Sequence, residues 1–361
     1  MRDKIKALAP RAGRGLRSAL ALAIGGIGGW AFYHWHMPLA WMLGSMAACG
    51  AGALLRLPLS SPATIRPLMT AVIGTMLGTA FGPHLLDHVD EWLIPLAGLL
   101  VFIPLAGFTS YQYFRRIAGF DMPTAYFSGM PGGLVEMVTL GTERGGDERT
   151  IALIHAARIF LVVFSLPFLI ELLFGMELPR TVRDPIPLSA VGLDDTLWFT
   201  ATLVAGLIIG KVLRLPARFL LGPMLVSAAI HYFGGSDFVL PTVIISAAQV
   251  VIGTTVGCRF VGVPFRVILR ILKLAAGSTA ILMALTLLSA KVVSLLSGEA
   301  ETSLLLAYSP GGLAEMSLIA LSLDIGIAFV IVHHIVRVLL VVAGSSAMFS
   351  LLALRETKPK G

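Results

Sequence analysis

Charge is what this chain of 361 residues has least of: Asp, Glu, Lys and Arg make up 13% of it, against ~25% in soluble domains. So few charges cannot clothe a water-exposed surface, which excludes an ordinary soluble protein. The imbalance among them gives +7, but no basic run has the helical or aromatic setting of a nucleic-acid-binding module, so nucleic acid is not expected as a partner. Cysteine is nearly missing. Cys49 and Cys258 fall in apolar stretches and form no spaced pair, so neither a disulfide nor a cysteine metal site is expected. There is no phosphate-cradling Walker sequence, which argues against ATP-driven transport, and no embedded His-Glu-x-x-His or Gly-x-Ser-x-Gly. The expectation is a non-enzyme without a resident cofactor.

What is present is apolar: 57% hydrophobic residues and a mean hydropathy of +0.88. Several segments reach the ~17–25 apolar residues needed to cross a bilayer core. The chain is read as an all-α polytopic membrane protein whose first partner is the lipid bilayer. Residues 1–18 form a basic tail, followed by an apolar, glycine-rich run over 19–32. No small-x-small cleavage site precedes the aromatic cluster 30–35, so a retained first span is expected rather than a signal peptide.

Two stretches organise the rest: Met-Pro-Gly-Gly-Leu-Val-Glu-Met at 130–137 and Ser-Pro-Gly-Gly-Leu-Ala-Glu-Met at 309–316. They lie 179 positions apart, and the same offset carries His155 and Arg158 onto His334 and Arg337. It also carries Ile73-Gly74-Thr75, Gly78 and Phe81 onto Ile252-Gly253-Thr254, Gly257 and Phe260. Pro38 and Leu43-Gly44 match Pro216 and Leu221-Gly222 at an offset of 178. The chain is therefore a tandem duplication: membrane repeat 1 over 19–176, a polar linker over 177–195, repeat 2 over 196–352, and a basic tail over 353–361.

Topology turns on the two Pro-Gly-Gly segments. If each dips in and returns, each half makes about five crossings and nearly all Lys and Arg fall on one side. That side holds both termini, Arg56, Arg115, Arg144, Lys211, Arg214 and Arg259, whereas connections 34–37, 83–91, 231–237 and 297–302 carry no Lys or Arg. Five is odd, so the halves have opposite orientation. Inverted repeats of this kind are a signature of secondary transporters.

Candidate site residues follow from these segments. Pro131, Gly132 and Gly133, with Pro310, Gly311 and Gly312, break a helix inside apolar sequence, because proline removes an amide donor and glycine admits conformations closed to other residues. Broken backbone at membrane depth is tolerated where it is buried in protein or lines a wet cavity. Glu136 and Glu315 are membrane carboxylates that could carry a proton or help bind a cation; the alternative is a structural ion pair with Arg158 and Arg337. His155 with Arg158 and His334 with Arg337 each share a helix face, available to a solute carboxylate or, alternatively, to headgroups and buried hydrogen bonds. The stripes Gly74/Gly78/Gly82, Gly253/Gly257, Gly25/Gly29 and Gly206/Gly210 read as close helix packing. His34, His36, His84, His88 and His231 read as loop and belt residues rather than a metal site.

The repeated Pro-x4-Leu-Gly, Ile-Gly-Thr and Pro-Gly-Gly-Leu-x-Glu-Met blocks resemble the bacterial AbrB membrane-protein family, itself described as an internal duplication. The resemblance spans about residues 25–352 and implies a multi-pass protein of the bacterial cytoplasmic (inner) membrane. Members carry labels of regulator of gene expression or ammonia monooxygenase. This sequence has no separate soluble DNA-binding domain and no recognisable copper or iron centre. The expectation is therefore a secondary transporter of a small solute, anionic if the repeated arginines hold it, coupled to H⁺ or Na⁺. A membrane sensor acting indirectly on gene expression is the alternative, and a membrane oxidoreductase is third. Assembly as a homo-oligomer is left open.

Overall fold

The computed structural model describes residues 2–176 and 185–356, with side chains over 13–83, 89–176 and 185–352. The middle of the linker, the outer parts of both basic tails and the side chains of His84 and His88 lie outside these. The first half holds α1 (Arg2–His34), α2 (Ala40–Leu54), α3 (Arg66–Gly78), α4 (Leu93–Arg116), α5 (Met122–Gly129), α6 (Leu134–Glu143) and α7 (Glu148–Phe174). The second holds α8 (Leu193–Val212), α9 (Arg218–Tyr232), α10 (Thr242–Gly257), α11 (Phe265–Ser297), α12 (Glu301–Tyr308), α13 (Leu313–Leu323) and α14 (Ile327–Glu356). No strand occurs among the described residues.

Among the described residues, seven segments are helical, long and apolar enough to cross a membrane: Gly13–His34, Val89–Arg116, Glu148–Phe174, Leu193–Val212, Thr242–Phe260, Phe265–Ser297 and Ile327–Leu352. This is a multi-pass membrane protein. Of the ten crossings expected from hydropathy, three are shorter helices: α2 and α9 have 15 residues and α3 has 13. At 1.5 Å per residue, 15 residues span ~22 Å, less than the ~30 Å hydrocarbon core. Hydropathy counts apolar residues in turns and caps as if they were helical, which explains the difference.

The duplication is written in the backbone as well as the sequence. Left-handed residues recur in pairs: His36 with Arg214, Leu39 with Ala217 and Arg56 with Gly234 at the 178 offset, then Gly119 with Gly298 and Gly145 with Asp324 at 179. Non-glycine residues adopt this conformation at a cost, so its recurrence means that both copies turn the chain the same way.

The compact units cut across the repeats. One comprises Met1–Asp87 and Met176–Phe265, the other His88–Gly175 and Arg266–Gly361. Each repeat thus gives its first part to one unit and its second part to the other.

In the first unit, α1 and α2 form an antiparallel hairpin, as do α8 and α9, and α3 packs along α9 as α10 packs along α2. The contacts are reciprocal. A Cβ on Gly74 would strike the Leu220 carbonyl, and one on Gly253 would strike the Met42 carbonyl; both pairs are related by the repeat. Gly82 has open space around it and takes no part in this stripe. Without a hydrophobic drive between helices in lipid, such backbone approach is a main source of packing energy. Cys49 and Cys258 also meet here, as free buried thiols in one cluster with Ala21 and Leu59. No spacing in the sequence signals that contact.

The second unit contains α4–α7 and α11–α14. The repeat-related helices α4 and α11 run antiparallel, with Gly98 facing Val293 and Gly277 facing Tyr113.

Candidate functional site

Both helix breaks fall in the second unit. Helix α5 stops at Gly129 and α6 begins at Leu134; α12 stops at Tyr308 and α13 begins at Leu313. Pro131 and Pro310 are buried, and each removes one N–H that would otherwise need a partner there. None of the four glycines has positive φ. The expectation that they supply unusual backbone conformations is corrected: Gly133 and Gly312 are extended, with φ −66° and −79°. They are small because neighbours fill the space. A Cβ on Gly132 would lie 2.8 Å from Val341 Cγ1, one on Gly311 2.5 Å from Met316 Cε, and Cβ atoms on Gly133 and Gly312 would collide with the Glu136 and Glu315 carboxylates.

Those collisions locate the glutamates. Glu136 is the third residue of α6 and Glu315 the third of α13, and each carboxylate folds back over the glycine that begins its helix. Negative charge there is favoured by the amide ends of the helix. Both glutamates are half-buried. Neither takes a hydrogen-bond or ion-pair partner among the described residues. The ion pair with Arg158 and Arg337, offered above as an alternative, is not formed.

The arginines hold carbonyls instead. A helix leaves its last four C=O groups unsatisfied, and at the end of α5 these belong to Phe127, Ser128, Gly129 and Met130. Helix α7 supplies all four: His155 Nε2 donates to Phe127 O at 2.8 Å, Arg158 Nη1 to Ser128 O and Gly129 O at 3.4 Å, and Arg158 Nη2 to Met130 O at 3.0 Å. Helix α14 repeats the device. His334 Nε2 donates to Leu306 O at 3.0 Å, Arg337 Nη1 to Ser309 O, and Arg337 Nη2 to Gly311 O at 2.8 Å.

Each guanidinium also donates to its histidine, Arg158 to His155 Nδ1 at 2.8 Å and Arg337 to His334 Nδ1 at 2.9 Å. The partners fix the imidazole chemistry. A carbonyl only accepts and a guanidinium only donates, so Nε2 carries the hydrogen, Nδ1 carries the lone pair, and both rings are neutral. Arg158 and Arg337 are 2% exposed, so these are desolvated charges neutralised by carbonyl dipoles and not by a carboxylate. Each keeps one unspent donor, its buried Nε–H.

All twelve candidate site residues therefore lie in one unit, six around each break. The breaks are cross-braced: Val341 of α14 packs on Gly132 of the first, and α13 packs on α7. The repeats did not point to Tyr126, whose hydroxyl donates to Ser345 O at 2.9 Å, or to Tyr308, which donates to Pro95 O at 2.5 Å. Their repeat positions hold Leu305 and Gly129, so a search for duplicated residues passes over them. His333 lacks a repeat partner too; its Nδ1 faces Phe329 O at 2.8 Å and its ring packs on Phe329.

Comparison with known proteins agrees with the motif pair. A relative from Bacillus subtilis (strain 168), the uncharacterized protein YhjN, is 28% identical over 355 residues, 91% of each chain. A relative from Escherichia coli (strain K12), named as a candidate regulator, AbrB, is 24% identical over 306 residues, 84% of this chain and 86% of its own. The family model described as transition state regulatory protein AbrB matches residues 41–353, taking in both breaks and both His-x-x-Arg clamps. With the duplicated breaks and nearly the whole chain inside that match, the protein belongs to the AbrB family.

Proposed function

We propose that this protein is a secondary transporter built from two inverted repeats, moving a small anionic solute with H⁺ or Na⁺ across the bacterial inner membrane. One observation carries the reading: two repeat-related helix breaks, each with a half-buried carboxylate that no side chain neutralises. A structural carboxylate in a membrane protein is expected to be paired, whereas one kept unpaired beside a broken helix is suited to take up and release a cation. Glu136 and Glu315 are the coupling groups in this account. Pro131, Gly132, Gly133, Pro310, Gly311 and Gly312 form the breaks, and the His155/Arg158 and His334/Arg337 clamps keep the carbonyl ends in place. The unspent, buried Nε–H of each arginine favours a solute with negative charge.

Opposite orientation of the halves is supported by the antiparallel run of α4 and α11, which occupy equivalent places in the repeats. Short helices α2, α3 and α9 count as crossings in this reading, giving ten, while α5–α6 and α12–α13 turn back as re-entrant pairs. Both termini then lie in the cytoplasm.

The name of the Escherichia coli relative favours a second reading, a membrane sensor that binds a solute without moving it. Uptake of labelled small organic acids into proteoliposomes under an imposed pH or Na⁺ gradient separates the two. The transporter reading expects gradient-dependent accumulation of one such acid. A solute that binds the purified protein but never accumulates overturns it in favour of the sensor.

A further inference from the structure

The chain has two cysteines, 209 positions apart, and both lie in one buried cluster of the first unit. Cys49 is on α2, in the first repeat; Cys258 opens the turn after α10, in the second. The backbones meet closely here. A Cβ on Gly257, the residue before Cys258, would lie 2.6 Å from Met46 O and 2.8 Å from Cys49 Cβ. Packing alone does not require sulfur. The repeat-related contact of α3 with α9 brings a Cβ on Gly78 within 2.5 Å of Met224 O and 2.4 Å of Ser227 Cβ. There Ser227 and Thr79 stand in the two cysteine places. The same architecture thus accepts hydroxyls in one copy and holds both of the chain's thiols in the other.

A neighbouring hydroxyl points the same way. Thr254, one turn before Cys258, is fully buried, and its Oγ1 finds no oxygen or nitrogen partner among the described residues. Its counterpart Thr75 spends the hydroxyl on its own helix, donating to Ala71 O at 3.0 Å. The unspent Oγ1 stands beside Cys49: a Cβ on Gly25 would lie 2.2 Å from it and 3.5 Å from Cys49 Sγ. A free donor at a buried sulfur is suited to the negative charge that a thiol acquires when it reacts as a nucleophile.

We infer that Cys49 and Cys258 are an oxidant-sensitive pair that closes a reversible disulfide between the two repeats, with hydrogen peroxide as the oxidant. Cys258, the more exposed of the two at 6%, attacks the peroxide. An S–O bond forms, the O–O bond breaks, and water leaves with the thiol proton. Cys49 sulfur then attacks the sulfenic acid on Cys258 while Thr254 donates to it. The S–S bond forms, the S–O bond breaks, and the departing hydroxide takes the Cys49 proton as a second water. Peroxide is small and neutral, so it reaches a site closed to bulkier oxidants, and the uncharged bridge suits an apolar cluster. The bridge ties α2 to the end of α10, and a dithiol reverses it by exchange. The pair is independent of whether the protein transports anything.

The test treats full-length protein in nanodiscs with hydrogen peroxide, then unfolds it, caps free thiols with a maleimide and maps the peptides by mass spectrometry. In the wild type both thiols should vanish together, a digest should show Cys49 joined to Cys258, and dithiothreitol should restore both caps. Cys49→Ser installs the residue of the other copy and should leave Cys258 as a sulfenic acid that dimedone traps. Thr254→Val keeps the shape without the hydroxyl; it should close the bridge several-fold more slowly, while the reduced protein melts where the wild type does. Closure at the wild-type rate would overturn the part given to Thr254. The exposed Met348 reports that peroxide has arrived. Two thiols still fully capped once Met348 is a sulfoxide would overturn the pair. So would a bridge between two copies of the chain, or Cys258 oxidised to a sulfinic acid with Cys49 left free.

Discussion

At the scale of single residues, the arginines and glutamates divide the work that an ion pair would have merged. Arg158 reaches three consecutive carbonyls at the end of α5 because a planar guanidinium fans its donors. A lysine has one compact ammonium and cannot cover them. Arg158→Lys and Arg337→Lys are expected to destabilise the protein by ~3 kcal/mol or more, since buried carbonyls left bare cost ~1–3 kcal/mol each. Thermal unfolding in detergent measures this; an unchanged midpoint in both would mean that the clamps carry no load. A second prediction concerns Gly133, where an added Cβ collides with the Glu136 carboxylate. Gly133→Ala should weaken the cation dependence of uptake, and Glu136→Asp in the same chain, by shortening the side chain, should restore part of it. A purely additive pair of defects would contradict the contact.

Among single residues, those that carry chemistry were legible because duplication marks them: an offset held over some ninety positions selects Glu136, Arg158 and their copies without any structure. What they touch was not. The partners of Arg158 and His155 are backbone carbonyls, which have no side-chain signature, and the nearby glutamates offered an ion pair only as the alternative. The glycines of the breaks misled in another way. Glycine is chosen both for positive φ and for want of room, and sequence does not distinguish the two.

At the scale of elements, helix packing in the first unit rests on small residues at reciprocal sites. Gly74→Leu should force α3 away from the Leu220 carbonyl on α9, and Gly253→Leu should do the same to α10 on α2. Overpacking typically costs ~1–3 kcal/mol, and rigid backbone on the facing helix places both variants at the upper end. Gly26→Leu, with nothing within 4 Å, is the matched control and should be tolerated. Comparable folded yields for all three would refute the packing role. The stripes of glycine were readable from their spacing, but their partners were not. That α3 would pair with the other half's α9, and that Cys49 would meet Cys258, depends on how the halves exchange elements.

For the whole molecule, the same exchange explains why repeats and compact units differ. Each unit draws one part from each copy, so symmetry-related helices face one another inside a unit and the two breaks share one neighbourhood. An unneutralised carboxylate at each break is the arrangement from which coupled transport is argued. It is tested most directly by comparing gradient-driven accumulation with solute exchange at equilibrium in proteoliposomes, for wild type and for Glu136→Gln with Glu315→Gln. The account predicts that the double variant loses accumulation against a gradient while still exchanging internal for external solute. Accumulation equal to wild type in the variant would contradict it, because the carboxylates would then couple nothing.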